Sequence, residues 1–149
     1  MNRFEEFVTL TNMVYKGLQK VKSYEVKGLG LKGSHVMCMF YLGQHEEGLT
    51  SGELCEKCRE DKAAVSRNLK YLVEKGFVKL AEEDDKKYKL KNVLTEEGKE
   101  AYAQILQLVY KAEERFGTGM NAKERAAFYK GLRSVAEKFD DFFIEIEDQ

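Results

Sequence analysis

Thr50-Ser51-Gly52-Glu53-Leu54 opens a run that continues through Asp61-Lys62-Ala63-Ala64-Val65-Ser66-Arg67 and Leu72-Val73-Glu74-Lys75-Gly76-Phe77-Val78. Thr50 and Glu53 form a capping-box pattern, in which each side chain satisfies the other residue's free backbone amide. A short helix is therefore expected from Ser51 to about Arg59. Asp61 is the next N-cap type, and a second helix should run from Lys62 to Lys75. Gly76 suits its C-terminal stop, because glycine enters the left-handed region without steric penalty. Phe77 to Ala81 reads as a strand, Glu82 to Lys87 as a polar turn and Tyr88 to Leu94 as a returning strand. Two short helices joined by a tight turn, then a strand pair, make a helix-turn-helix backed by a wing.

Helical patterns flank this middle on both sides. In front, Phe4, Phe7, Val8, Val14, Leu18 and Val21 fall at helical spacing, predicting a helix from about Arg3 to Lys22. Lys27-Gly28-Leu29-Gly30 reads as a connector. A further helix should start after Ser34 and run through Gln44, with Val36, Met39, Phe40 and Gly43 as its apolar stripe. Behind the wing, Thr95 opens a helix marked by Tyr102, Ile105, Leu106, Val109, Ala112 and Phe116, which Gly117-Thr118-Gly119 interrupts. Asn121 and Glu124 cap a last helix, where Phe128, Leu132, Val135, Phe139, Phe142 and Ile146 recur as a heptad seam. The expected architecture is mainly α with a small β-wing. It comprises a first helix and connector over 1–32, a winged helix-turn-helix over 33–94 and C-terminal helices over 95–149.

Composition fits this picture. Of 149 residues 43% are hydrophobic and 34% charged, enough apolar material for a packed core, and there is no proline to break a long helix. The net charge is −1, so a nucleic-acid reading must rest on where charges point rather than on composition. Residues 50–91 carry a slight excess of cations, 11 Lys/Arg against 9 Asp/Glu. The longest apolar run, Val36 to Leu42, is far shorter than the roughly 20 residues of a membrane span. The chain begins Met1-Asn2-Arg3-Phe4-Glu5-Glu6, acidic where a secretion signal would be basic. Together with three cysteines, an odd and low number, this leads us to expect a cytoplasmic protein with reduced thiols and no membrane partner.

The helix from Lys62 to Lys75 has two sides. Val65, Leu69, Leu72 and Val73 should pack inward, while Ala63, Ser66, Arg67 and Lys70 share the opposite side. B-DNA's major groove admits one helix. Small residues allow close approach, Arg can grip a guanine edge or a phosphate with two bonds, and Lys suits phosphate. Helix amino ends also present free amides to phosphate. Candidate DNA contacts are thus Ser51, Lys62, Ala63, Ser66, Arg67 and Lys70, with Lys86, Lys87 and Lys89 on the wing. The bland alternative is a solvated helix face and an exposed polar hairpin.

These segments, together with Leu94-Thr95-Glu96-Glu97-Gly98, resemble the MarR family of transcriptional regulators over roughly residues 33–98. The resemblance implies an obligate homodimer built from the first and last helices. It implies recognition of a pseudo-palindromic operator in double-stranded DNA by the second helix of the motif and the wing. It further implies release of DNA when a small, often aromatic, effector enters the cleft between dimerisation and DNA-binding parts; an anionic effector would also suit. Ser66 and Arg67 match the family's Ser-Arg pair, and Lys62 its basic residue after the cap. Tyr15, His35 and Met39 lie on helices bordering the implied cleft. The chain departs from the pattern at Arg59-Glu60, where the family carries a glycine and an apolar residue. It also has Asp85-Lys86-Lys87 in place of Asp-x-Arg, one residue further from the Leu-Thr pair. Cys55 and Cys58 replace the usual Ala and Leu.

The spacing Cys55-x-x-Cys58 suggests a metal or redox pair, but no second pair exists to complete a zinc site. Packing is the favoured role for the three cysteines. The family's peroxide-sensing branch uses a cysteine in the first helix, and this chain has none there. No nucleophile elbow, P-loop or His-Glu-x-x-His motif occurs, so no enzyme, metal or cofactor is expected. The sequence reading is a dimeric, ligand-responsive repressor. Its alternatives are a winged-helix protein-interaction module without DNA binding and a thiol-responsive regulator using Cys55 and Cys58.

Overall fold

Helix α1 spans Arg3–Leu29, seven residues beyond the expected end. Gly28 weakens a helix but does not stop one, and no proline intervenes; the chain turns only at Gly30, where φ is +70°. The computed structural model describes residues 2–31, 33–81 and 90–149, the side chains of 25–27 excepted. Helix α2, Gly33–Gln44, is followed by α3, Ser51–Cys58, and α4, Lys62–Glu74. Strands β1, Val78–Leu80, and β2, Asn92–Leu94, pair antiparallel with Val78 opposite Leu94. Both are shorter than the sequence suggested among the described residues. Helices α5, Glu96–Gly117, and α6, Ala122–Glu147, complete the chain.

The chain divides into two compact units, residues 1–110 and 111–149. In the first, α2 is the central element and packs against α1, α3, α4 and β2. It buries His35, Val36, Cys38, Met39 and Leu42, a wider face than a single stripe. Phe40 and Gly43, expected inside, are half-buried. Leu54 of α3, Val65, Leu69 and Leu72 of α4, Val78, Leu94, Ala101 and Ile105 join them in one core.

Local chemistry fixes the helix ends. Glu53 N–H donates to Thr50 Oγ1 at 3.2 Å and Thr50 N–H to Glu53 Oε2 at 2.8 Å, the full capping box. Asp61 Oδ1 accepts from Ala64 N–H at 2.7 Å and starts α4. At its far end Gly76, φ +81°, allows a Schellman closure: Phe77 N–H donates to the Leu72 carbonyl and Gly76 N–H to that of Val73.

The segment Leu94-Thr95-Glu96-Glu97-Gly98 then locks α5 onto that closure. Thr95 Oγ1 donates to the Gly76 carbonyl and accepts from Gly98 N–H. In the second unit, Asn121 and Glu124 cap α6 reciprocally at 2.8 and 2.9 Å. No residue of α6 is buried.

Candidate nucleic-acid interface

α4 presents two chemically distinct sides. Val65, Leu69 and Leu72 are in the core, whereas Ala63, Ser66, Arg67 and Lys70 are all exposed. Val73 corrects the sequence reading: it is 48% exposed rather than packed inward. Eight residues after Val65 the helix has turned about 80° past a whole number of turns, which carries Val73 to the edge beside Ser66. Lys62, the first residue of α4, and Ser51, the first of α3, are exposed as well. Lys86, Lys87 and Lys89 lie outside the described residues.

Two features that local patterns did not reveal hold the helix still. Asn68, on the inner side of α4, is buried and bonds the first turn of α2: its Nδ2 donates to the Ser34 carbonyl, and Ser34 Oγ donates to its Oδ1, both at 3.4 Å. Tyr71 stacks on His35 and donates its hydroxyl proton to the Gly30 carbonyl. Away from α4, in β2, Asn92 is also buried; its backbone exchanges hydrogen bonds with Leu49, whose carbonyl its side chain reaches at 3.1 Å. Only tertiary structure creates these pairs, so sequence periodicity carries no trace of them.

The turn before α4 keeps its geometry despite lacking glycine. Arg59 caps α3 in the left-handed region, φ 54° and ψ 41°, and Glu60 N–H donates to the Cys55 carbonyl. It is the one described non-glycine residue with positive φ.

Ser34, His35, Glu60, Ala64, Arg67, Asn68 and Tyr71 line a cavity of about 360 Å³ between α2 and α4. Of the three residues assigned to an effector from sequence, His35 lines this space. Met39 is sealed in the core, and Tyr15 is exposed on α1, so the three do not share it.

The cysteines contact the core, Cys38 within it and Cys55 and Cys58 against it. The sulfurs in contact are those of Cys38 and Cys58, 3.9 Å apart. The hydrogen bond between the two thiols, in which either can donate, holds the Cys58 thiol below the ordinary range, against burial and Glu60 and with help from Lys22. The same bond, with burial, pushes Cys38 up. Among the described residues no cluster of His, Cys, Asp or Glu could hold a metal ion, and no helix is long and apolar enough to cross a membrane.

A capped helix-turn-helix, an antiparallel strand pair behind it and long flanking helices define a winged-helix fold. Residues 29–87 match the model of the MarR family. The fold of the chain agrees along nearly its whole length. A MarR/EmrR family regulator from Acinetobacter sp. ADP1 is 21% identical, with 95% of this chain and 99% of that one covered and a TM-score of 0.81. A MarR family regulator from Listeria monocytogenes in complex with 26mer DNA is 19% identical, covers 95% and 94%, and gives 0.77. The S. aureus MepR–DNA complex is 14% identical, covers 93% and 99%, and gives 0.83. Among curated proteins none matches this chain.

Proposed function

We propose that the chain is a homodimeric, sequence-specific DNA-binding transcriptional regulator, a repressor released from its operator by a small effector. The observation that carries this is the division of α4: Ala63, Ser66, Arg67 and Lys70 face out from a helix anchored by Val65, Asn68, Leu69 and Leu72. A rigid helix with a small, hydroxyl and cationic outer side fits the major groove, where Arg67 takes a guanine edge or phosphate and Lys70 a phosphate. Two structural neighbours are complexes with DNA, which supports the same use of this fold.

Dimerisation follows from the apolar seam of α6. Phe128, Leu132, Val135, Phe139, Phe142 and Ile146 are each 38–51% exposed, a continuous apolar row of the sort that marks an association surface. Two recognition helices then reach successive major grooves about 34 Å apart, which requires a pseudo-palindromic operator.

The effector is a small aromatic or anionic molecule. The cavity beside α4 suits it, with the His35–Tyr71 pair as an aromatic wall and Arg67 as the cation. Glu60 in the same lining disfavours multiply charged anions. A ligand held there engages Arg67 and so competes with DNA for it, giving the differential affinity that a population shift needs.

Fluorescence anisotropy on a duplex from upstream of the gene, against a shuffled duplex at several salt concentrations, tests the reading. Preference for the upstream duplex and a steep fall of log affinity with log salt are expected. Equal affinity for both duplexes contradicts sequence-specific regulation. Absence of binding even at low salt indicates a protein-interaction module instead.

A further inference from the structure

Cys38 and Cys58 stand 20 residues apart in sequence and belong to different helices, yet their sulfurs are in van der Waals contact at 3.9 Å. We propose that they form a reversible dithiol–disulfide site that ties the middle of α2 to the end of α3 and, when closed, lowers affinity for DNA. The second half rests on the regulator reading above; the first does not.

A disulfide needs sulfurs about 2.05 Å apart, so the remaining gap is about 1.9 Å. Cys58 is the last residue of α3, where helix ends yield most easily. The sulfurs therefore need a rotamer change and a small movement of that end, not a rebuilt core. Cys55, the sequence-level partner of Cys58, is a worse match. Residues three apart on a helix have Cβ atoms about 5–6 Å apart, beyond the roughly 3.5–4.5 Å of a disulfide.

The two thiols also differ in access. Cys38 is 1% exposed, whereas Cys58 is half-buried. A hydroperoxide thus meets Cys58 first. The Cys58 sulfur attacks the peroxide oxygen, the O–O bond breaks, an alcohol or water leaves, and Cys58 becomes a sulfenic acid. The Cys38 sulfur then attacks the Cys58 sulfur. The S–S bond forms, the S–O bond breaks, and the Cys38 proton leaves with the hydroxyl as water. The two thiols are oxidised and the hydroperoxide is reduced. The lowered Cys58 thiol, whose thiolate form can accept from the Cys38 S–H, is consistent with this order.

Closure matters because Cys58 adjoins the turn into α4. Arg59 makes the left-handed turn and Asp61 caps α4, so the crosslink lies three residues from the cap of the recognition helix. Drawing the end of α3 toward α2 re-aims α4. A coupling of ordinary size between two sites changes affinity about fivefold or more.

The test uses the full chain, reduced, exposed to hydrogen peroxide, alkylated and digested without reductant. Mass spectrometry should find a Cys38–Cys58 linked peptide pair, lighter by two hydrogens, in the wild type and in Cys55→Ser. It should vanish with dithiothreitol and be absent from Cys38→Ser and Cys58→Ser. Three alkylated thiols after oxidation, or a link through Cys55, overturn the site. On the same samples, affinity for the upstream duplex should fall about fivefold or more in the wild type and Cys55→Ser but not in Cys38→Ser. A linked protein with unchanged affinity overturns the regulatory half. A protein that links but binds no duplex even when reduced supports the thiol site and contradicts the regulator reading alone.

Discussion

His35 of α2 lies flat against Tyr71 of α4, ring centroids 4.2 Å apart and planes 3° from parallel. The stack fastens α4 to the central helix α2, and the Tyr71 hydroxyl extends the fastening to the Gly30 carbonyl beyond α1. Removing the ring should therefore loosen α4 as well as destabilise the fold. Tyr71→Ala is expected to lower stability by about 2 kcal/mol, less than a fully buried ring because Tyr71 is half-buried. Tyr71→Phe, which keeps the stack and loses the hydroxyl bond, should lower it by about 1 kcal/mol. Urea unfolding of the two variants measures the difference.

Gly98 sits against the backbone of Phe77 so closely that a Cβ would lie 2.0 Å from the Phe77 carbonyl oxygen. That oxygen also accepts from Thr95 N–H, so it cannot move away cheaply. Gly98→Ala should cost about 3 kcal/mol or more, a large part of a domain's usual margin of about 5–15 kcal/mol. A thermal or urea midpoint equal to that of the wild type would show that the α5 junction is looser than this contact implies.

Arg59 holds a left-handed backbone that disfavours any residue with a Cβ, by about 1–2 kcal/mol. Arg59→Gly is expected to raise stability by about 1 kcal/mol, the lost side-chain contacts offsetting part of the gain. Urea midpoints would check this; a lower midpoint would mean that those contacts outweigh the backbone strain.

These sites show how much the sequence disclosed. The caps Thr50–Glu53, Asp61 and Asn121–Glu124 were legible because each is a local exchange between residues three apart. The order of helices and strands was legible too, and so was the exposed set on α4, since spacing alone separates Ser66 and Arg67 from Val65 and Leu69. Periodicity failed where geometry accumulates or where partners are distant. Val73 drifted off the inner stripe after two turns, α1 ran past Gly28, and Asn68, Asn92 and the Cys38–Cys58 contact depend on residues 20 or more positions away.

The hydrogen bond between Cys38 and Cys58 has a pH signature, since a Cys58 thiolate can only accept from the Cys38 S–H. Because it favours the charged form of Cys58, the thiolate fraction at neutral pH is larger than for an ordinary cysteine. Cys38→Ala removes the donor, so the Cys58 pKa rises toward its ordinary value and the pH at which alkylation reaches half its maximal rate moves up. Rates of iodoacetamide labelling, with peptide mass measurement as the readout, give that profile. A profile unmoved by the substitution would show that the donated bond does not set Cys58 reactivity.

The α6 seam makes a separate demand. Val135→Asp combined with Phe142→Asp places carboxylates on the row assigned to the dimer contact. Sedimentation should show the wild type as a dimer and the double variant shifted toward monomer, with retained helical circular dichroism. A wild-type monomer would rule out the proposed dimer.

Arg67 carries the central claim, that the outer side of α4 reads DNA. Arg67→Ala should weaken binding to the upstream duplex by about 1–3 kcal/mol, as expected for loss of a base-edge contact, while Lys138→Ala on α6 leaves it unchanged. Measured by anisotropy at fixed salt, that pair of results places the outer side of α4 on DNA. Unaltered affinity in Arg67→Ala, with the fold intact, would contradict it.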